Sequence, residues 1–141
     1  MGAGTAFGIA VSTEWTTPSY KSVIYKQKAT VAAGYNKTTK KGSAAANVMV
    51  KPHDNASEAG YIGTKPYLYK KNGSTYYKTY PWTYTQSKVK KGEWHYSPYA
   101  EATGLAVNTS WFSWGSSEHW NGNTYKKHDT YKSPLQTVIA S

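Results

Sequence analysis

Between Lys21 and Tyr35 the residues change character with a period of two. The odd positions run Lys21, Val23, Tyr25, Gln27, Ala29, Val31, Ala33 and Tyr35, while the even ones include Ser22, Lys26, Lys28 and Thr30. Successive side chains of a strand point to opposite faces, so this spacing suits a half-buried strand. The polar stretch NKTTKKG at 36–42 interrupts it. Alternation then resumes, with Ala44, Ala46, Val48 and Val50 on one face, Ser43, Asn47 and Lys51 on the other, and Pro52 at the end. Three alanines also suit the start of a helix, but the β-branched residues and the shortness of the segment favour a strand.

Strand signals continue to the C-terminus at intervals of roughly ten residues, separated by turn-rich stretches such as PHDNASEAG (52–60) and SKVKKGE (87–93). No segment has a helical period. The expected fold is all-β, a single-domain antiparallel sandwich or small barrel of about seven to nine short strands spanning 1–141. Residues 1–12 are small and apolar, with three glycines and no preceding lysine, and suit either the remnant of a signal-cleavage region or a first strand.

Two Asn-Gly pairs punctuate the second half, Asn72-Gly73 and Asn121-Gly122. They sit in the related runs NGSTYYK and NGNTYKK, and two hairpins of like turn chemistry account for the echo. A two-residue type I′ turn at 72–73 needs positive φ at both residues. It would pair Lys71 with Ser74, Tyr69 with Tyr76, Leu68 with Tyr77 and Tyr67 with Lys78. One face then carries Tyr67, Tyr69, Tyr76 and Tyr80 among Lys65, Lys71 and Lys78; the other carries Leu68, Lys70, Thr75 and Tyr77. Pro81 bars a central strand, which makes Trp82-Thr83-Tyr84 an edge or a bent segment.

A core for this fold needs material, and aliphatic side chains are scarce. Leu, Ile, Val and Phe together number 17 of 141 residues. With a net charge of +10 that composition borders on disorder, but 14 Tyr and 6 Trp supply large rings in alternating patterns. About two thirds of the rings are expected to be structural. The sequence contains no cysteine, which removes disulfides, thiol nucleophiles and cysteine metal sites. All 17 basic residues are Lys. An AT-rich genome suffices to explain that, yet the consequence holds in any case. Without Arg the bidentate reading of guanine and phosphate is lost, leaving diffuse attraction to anionic polymers or membrane surfaces and only nonspecific binding of nucleic acid. No apolar run approaches the roughly 18 residues of a membrane-spanning helix.

Groups able to do catalysis are few: His53, His95, His119 and His128, with seven carboxylates. The adjacent pairs His53-Asp54, Glu118-His119 and His128-Asp129 point to opposite faces of any strand. Glu93 and His95 can share a face and form the better candidate for a small hydrolase, against the plainer reading of a solvated turn. A metal site from His95, His119 and His128 would need three strands to meet, and no zinc or phosphate-loop spacing is present. No cofactor is expected.

The aromatic residues therefore carry the functional expectation. Tyr and Trp join an apolar body to a polar tip and stack on sugars or sit at membrane interfaces. Trp111, Trp114 and Trp120 form the densest cluster, and Trp111 alternates away from Phe112, so at least one ring there should lie off the core. The Tyr67, Tyr69, Tyr76 and Tyr80 face, with Lys78, is expected to be at least partly exposed, because a dry core would strand its lysines without acids. Those eight residues are the candidate binding set.

The run AGYIGTKPYLYKKNGSTYYKTYPWTY and the later WNGNTYKKHDTYKSP resemble small Sec-exported β-rich proteins of Gram-positive bacteria, over roughly the last two thirds of the chain. The resemblance implies secretion and a β-rich fold and carries no catalytic residue across. The expected function is a secreted, non-enzymatic protein that binds anionic cell-envelope polymers, glycans or the membrane surface, with association to the cell wall included. A secreted antibacterial protein acting on competitors' envelopes is the alternative that composition leaves open, followed by the Glu93/His95 hydrolase.

Overall fold

The computed structural model describes residues 5–141, with side chains from Gly8 onward. Every regular element among them is a strand, and every pairing is antiparallel. The all-β expectation holds, and of the two architectures considered it is the sandwich, since no sheet closes on itself.

The first layer is ordered β1 (Thr5–Val11), β3 (Tyr25–Asn36), β4 (Lys41–Pro52) and β10 (Ala100–Leu105). It is lengthened by β2 (Trp15–Thr16), which pairs with β3, and by β9 (His95–Tyr96), which pairs with β4. β3 and β4 pair without interruption from Tyr25 opposite Pro52 to Asn36 opposite Lys41. The reversal between them is held by Asn36, whose Oδ1 accepts the N–H groups of Thr38 and Thr39 at 2.9 and 3.1 Å, while Lys40 adopts a φ of 56°. An Asn at that position substitutes its side chain for a backbone turn, so the polar run NKTTKKG can reverse the chain. The period-two pattern translates directly into burial: Val23, Tyr25, Gln27, Ala29, Val31, Ala33 and Tyr35 are buried, and so are Ala44, Ala46, Val48 and Val50. Lys21, at the end of the pattern, is exposed in a turn.

The second layer consists of two four-stranded sheets lying end to end. One is β14 (Gln136–Thr137), β11 (Ser110–Ser113), β6 (Tyr67–Lys70) and β7 (Lys78–Thr79); the other is β13 (Tyr125–Asp129), β12 (Ser116–Trp120), β5 (Ile62–Lys65) and β8 (Thr83–Tyr84). Their central strands share one register. Trp111 faces Lys70, Ser113 faces Leu68, Ser116 faces Lys65 and His119 faces Ile62. The ladder breaks at Pro66, which has no N–H to donate, and at Gly115 opposite it. A Cβ on Gly115 would lie 2.2 Å from Val48 Cγ2, so the close approach of the first layer requires glycine there. Pro81 and Pro134 break the flanking strands in the same way. Joining β1 to β2, β5 to β6, β7 to β8, β9 to β10, β11 to β12 and β13 to β14, with β3 and β4 whole, turns fourteen elements into eight strand paths. That agrees with the expected seven to nine.

Side-chain size is divided between the layers. The inner face of the first layer is mostly small: Ala10, Val31, Ala33, Ala44, Ala46, Ala100 and Ala102. Into that space the second layer inserts Leu68 and the Trp111 ring, a large-against-small complementarity that fills a core with few aliphatic residues. A second cluster, Val23, Tyr25, Val48, Val50, Ile62 and Val89, packs the other end.

The 67–80 hairpin departs from the expected geometry. Asn72 has a φ of 65°, but Gly73 is not in the positive-φ region, so the turn is not type I′. Instead the Gly73 N–H returns to the Lys70 carbonyl at 2.9 Å. Pairing resumes only with Leu68 opposite Lys78 and Tyr67 opposite Thr79, one residue beyond the predicted register. Tyr77 donates its N–H to the Leu68 carbonyl as well, so Tyr77 and Lys78 both oppose Leu68 in a bulge. The second Asn-Gly pair folds differently again. Asn121 Oδ1 accepts from the N–H groups of Asn123 and Thr124, and Gly122 alone takes positive φ, at 99°. The sequence echo is therefore not an echo of turn type.

Candidate functional site

Along 110–120 the alternation assigns each ring to a side. Odd positions face the first layer and even positions the outer side of the second, where Ser116 is covered by its neighbours. Trp111 is thus a core residue, 2 % exposed, with its indole N–H donated to Thr109 Oγ1 at 2.9 Å. Its place in the candidate binding set is corrected: with so few aliphatic residues, one Trp of the cluster had to fill the centre. Phe112, Trp114 and Trp120 lie half-buried on the outer face.

On that face the rings of neighbouring strands meet. Tyr69 stacks on Phe112 with centroids 5.0 Å apart and planes 9° from parallel, and lies 5.8 Å from Trp114. Tyr67 contacts Tyr76 at 5.1 Å. These are the offset and tilted geometries that ring quadrupoles favour. Lysines cap the rings: Lys132 Nζ lies 4.5 Å from the Trp114 centroid and 5.8 Å from that of Phe112, and Lys65 Nζ lies 5.5 Å from Tyr67. Tyr67, Tyr69, Tyr76 and Trp114 line an open depression of about 260 Å³, floored by Gly115 and Ser116 and flanked by Lys127 and Asp129. Ser116 Oγ donates to Asp129 Oδ1 at 2.8 Å, and Lys127 stands 3.8 Å from the same oxygen. Burial raises the Tyr69 hydroxyl above its ordinary pKa, with the neighbouring Tyr67 and Asp129 adding to the shift.

Four of the eight predicted binding residues therefore converge: Tyr67, Tyr69, Tyr76 and Trp114. Lys78 and Tyr80 are exposed but do not line the depression. Trp120 belongs to a second ring group farther along the same face, 5.2 Å from Tyr125, which in turn lies 5.3 Å from Tyr84. Tyr84 crosses Gly63, where a Cβ would meet its ring at 2.6 Å, and donates its hydroxyl to Glu118. Burial first, and the hydrogen bond to that carboxylate second, push the Tyr84 pKa up to about 12. Phe112, Lys132, Lys127, Ser116 and Asp129 escaped the sequence reading. Parity with Trp114 and Trp120 points to Ser116; Lys132 and Asp129 come from the last strand path, and no local signal joins them to the site.

Glu93 and His95, paired by the sequence, line one open depression of about 290 Å³ together with Tyr84 and Trp94. His95 pairs with Val50, and its Nε2 is buried without a hydrogen-bond partner; burial lowers its pKa. His119 is sealed between the layers, stacked on Tyr25 at 4.1 Å. Its Nε2 lies 2.9 Å from Ser117 Oγ and 3.2 Å from Gln27 Oε1, and Ser117 donates its hydroxyl to Gln27. With the proton on Nε2 the ring gives hydrogen bonds to both oxygens, and its Nδ1 is left buried without a partner. Desolvation by burial, with His128 adding to it, lowers the His119 pKa to about 3. His128 takes the Tyr20 hydroxyl at 2.9 Å and lies 6.1 Å from His119; burial lowers its pKa against the opposing pull of Asp129. Among the described residues no three His, Cys, Asp or Glu side chains are placed to share a metal ion.

Among the described residues no helix is long and apolar enough to cross a membrane. No known protein family matches the chain, and neither a curated protein nor a solved structure is significantly similar to it.

Proposed function

We propose that the protein is a secreted, non-enzymatic binder of anionic cell-envelope polymers, and that the outer face of its second layer is the contact surface. One observation carries this reading: Tyr67, Tyr69, Tyr76, Phe112 and Trp114 form a contiguous ring surface at the solvent boundary, with Lys65 and Lys132 seated over the rings. Ammonium groups supply attraction at a distance, and the rings supply flat contact for sugars or lipid headgroups at short range. A +10 chain without arginine suits a repetitive anionic partner better than one read by bidentate contacts.

The test is retention on purified Gram-positive cell walls across a salt series. Retention should fall steeply between about 0.05 and 0.5 M salt, as the screening length shortens to a few ångströms. Retention that ignores salt would contradict the electrostatic half of the proposal.

A further inference from the structure

The depression on this face differs in character from the chain as a whole. The protein is strongly cationic, yet the depression is lined chiefly by four aromatic side chains, Tyr67, Tyr69, Tyr76 and Trp114, with one carboxylate–ammonium pair, Asp129 and Lys127. Ring faces carry the negative part of the aromatic quadrupole and attract cations. The protein itself displays that preference, since Lys65 and Lys132 rest over Tyr67 and Trp114. Asp129 accepts the Ser116 hydroxyl at 2.8 Å and is paired with Lys127 at 3.8 Å, so one charge of each sign stands beside the rings. A cation would meet up to four rings and a carboxylate, and an anion joined to it would meet the Lys127 ammonium.

Size narrows the choice. At about 260 Å³ the space falls below the roughly 300–1,000 Å³ typical of pockets that enclose drug-sized ligands, so it takes a small group and not a polymer segment. A primary ammonium is strongly hydrated and asks for hydrogen bonds; a quaternary ammonium has no N–H, gives up its water readily and is recognised by aromatic cages. Lys127 lines the depression, and Lys65 and Lys132 lie over the Tyr67 and Trp114 rings that border it, a set suited to the anionic phosphate that accompanies such a group. We infer that the depression binds phosphocholine, with its trimethylammonium against Tyr67, Tyr69, Tyr76 and Trp114 and its phosphate toward Lys65 and Lys127. This rests on reading the face as an envelope-contact surface and names the chemical group the face selects.

Calorimetric titration of the whole protein with phosphocholine, phosphoethanolamine and inorganic phosphate tests it. Phosphocholine should bind about tenfold more tightly than phosphoethanolamine, which has the same charges but a hydrated ammonium. Tyr76 is half exposed, so Tyr76→Ala should keep the fold, checked by its thermal midpoint, and weaken phosphocholine about five- to tenfold. Tyr76→Phe should bind like the wild type, because the ring face makes the contact. Equal binding of phosphocholine and phosphoethanolamine, or an unchanged Tyr76→Ala, overturns the inference. Sedimentation with phosphatidylcholine vesicles separates two sources of the group: co-sedimentation assigns it to lipid, while binding of free phosphocholine without co-sedimentation assigns it to a choline-bearing polymer. Wall retention that persists without any phosphocholine preference removes this inference alone. No retention on walls at any salt removes the envelope reading, whatever the titration gives.

Discussion

The two layers expose faces of different material. On the outside of the first layer β3 and β4 place Lys26, Lys28, Thr30 and Ala32 opposite Lys51, Met49, Asn47 and Ala45, of which Met49 and Asn47 are buried, with Ile9 and Val11 at one edge. Its rings are fewer: Tyr96 and Tyr99, both exposed, on the opposite edge, and the half-buried Trp94, with Lys28 and Lys51 over it at 4.4 and 4.7 Å. The outside of the second layer is paved with rings along most of its length, from Phe112 through Tyr69 and Trp114 to Tyr84, Tyr125 and Trp120. Both faces are cationic, so charge does not distinguish them. Ring density does, and the inner faces show why it is not merely a consequence of composition. Small side chains on the first layer leave room for only a few rings inside, Trp111 chief among them. A chain using Tyr and Trp solely as filler would have no reason to bring so many of the remainder into contact on one outer surface.

The largest effect should separate an inner ring from an outer one. Trp111→Ala removes the fully buried indole and should lower unfolding stability by about 3–5 kcal/mol. Trp120→Ala, on the half-buried outer face, should cost less than about 2 kcal/mol. Urea denaturation of the two variants checks this, and similar losses would erase the distinction.

Acid comes next. His119, His128 and His95 all have folded-state pKa values below the ordinary 6.5, chiefly through burial. The unfolded chain therefore binds more protons than the folded one below about pH 6.5, and stability must fall with pH in that range. The loss should begin near 6.5, continue toward about 3 for His119, and amount to a few kcal/mol. His119→Gln should flatten the pH dependence of the urea midpoint between 6 and 4. An unaltered slope would mean that the ring between the layers is not what titrates.

Binding variants follow. Trp114→Ala together with Tyr69→Ala should reduce affinity for wall polymer at least about tenfold, roughly 1.4 kcal/mol, whereas Ile9→Ser on the first layer should leave it unchanged. Smallest is Glu118→Gln, which removes a carboxylate that helps raise Tyr84 to about 12. The alkaline titration of tyrosine absorbance should lose its latest component, with little change in stability below pH 9.

How far the sequence foretold this depends on the kind of signal. The alternations at 21–35 and 43–51 foretold β3 and β4 because one face of each is buried along its whole length. The 67–80 hairpin was mispaired by one residue, since Asn72 alone takes positive φ and the bulge at Tyr77 absorbs the slip. Bulges depend on how strands fit together and leave no mark in a local turn motif. In Trp111-Phe112-Ser113-Trp114 both parities carry a ring, so the choice of inward face waits on the opposite layer. Tyr67, Tyr69 and Tyr76 were legible because they belong to one hairpin. Lys132 and Asp129 were not, because they reach the site from a different strand path.

The direct test is a binding isotherm on purified wall teichoic acid for two variants, Tyr69→Ser on the second layer and Tyr96→Ser on the first. Tyr96 is 56 % exposed, so its ring is as available to a ligand as any on the molecule. If the ring-paved face is the contact surface, Tyr69→Ser weakens binding about tenfold and Tyr96→Ser binds like the wild type. Equal weakening by both, or by neither, would show that the protein holds its polymer by overall charge alone.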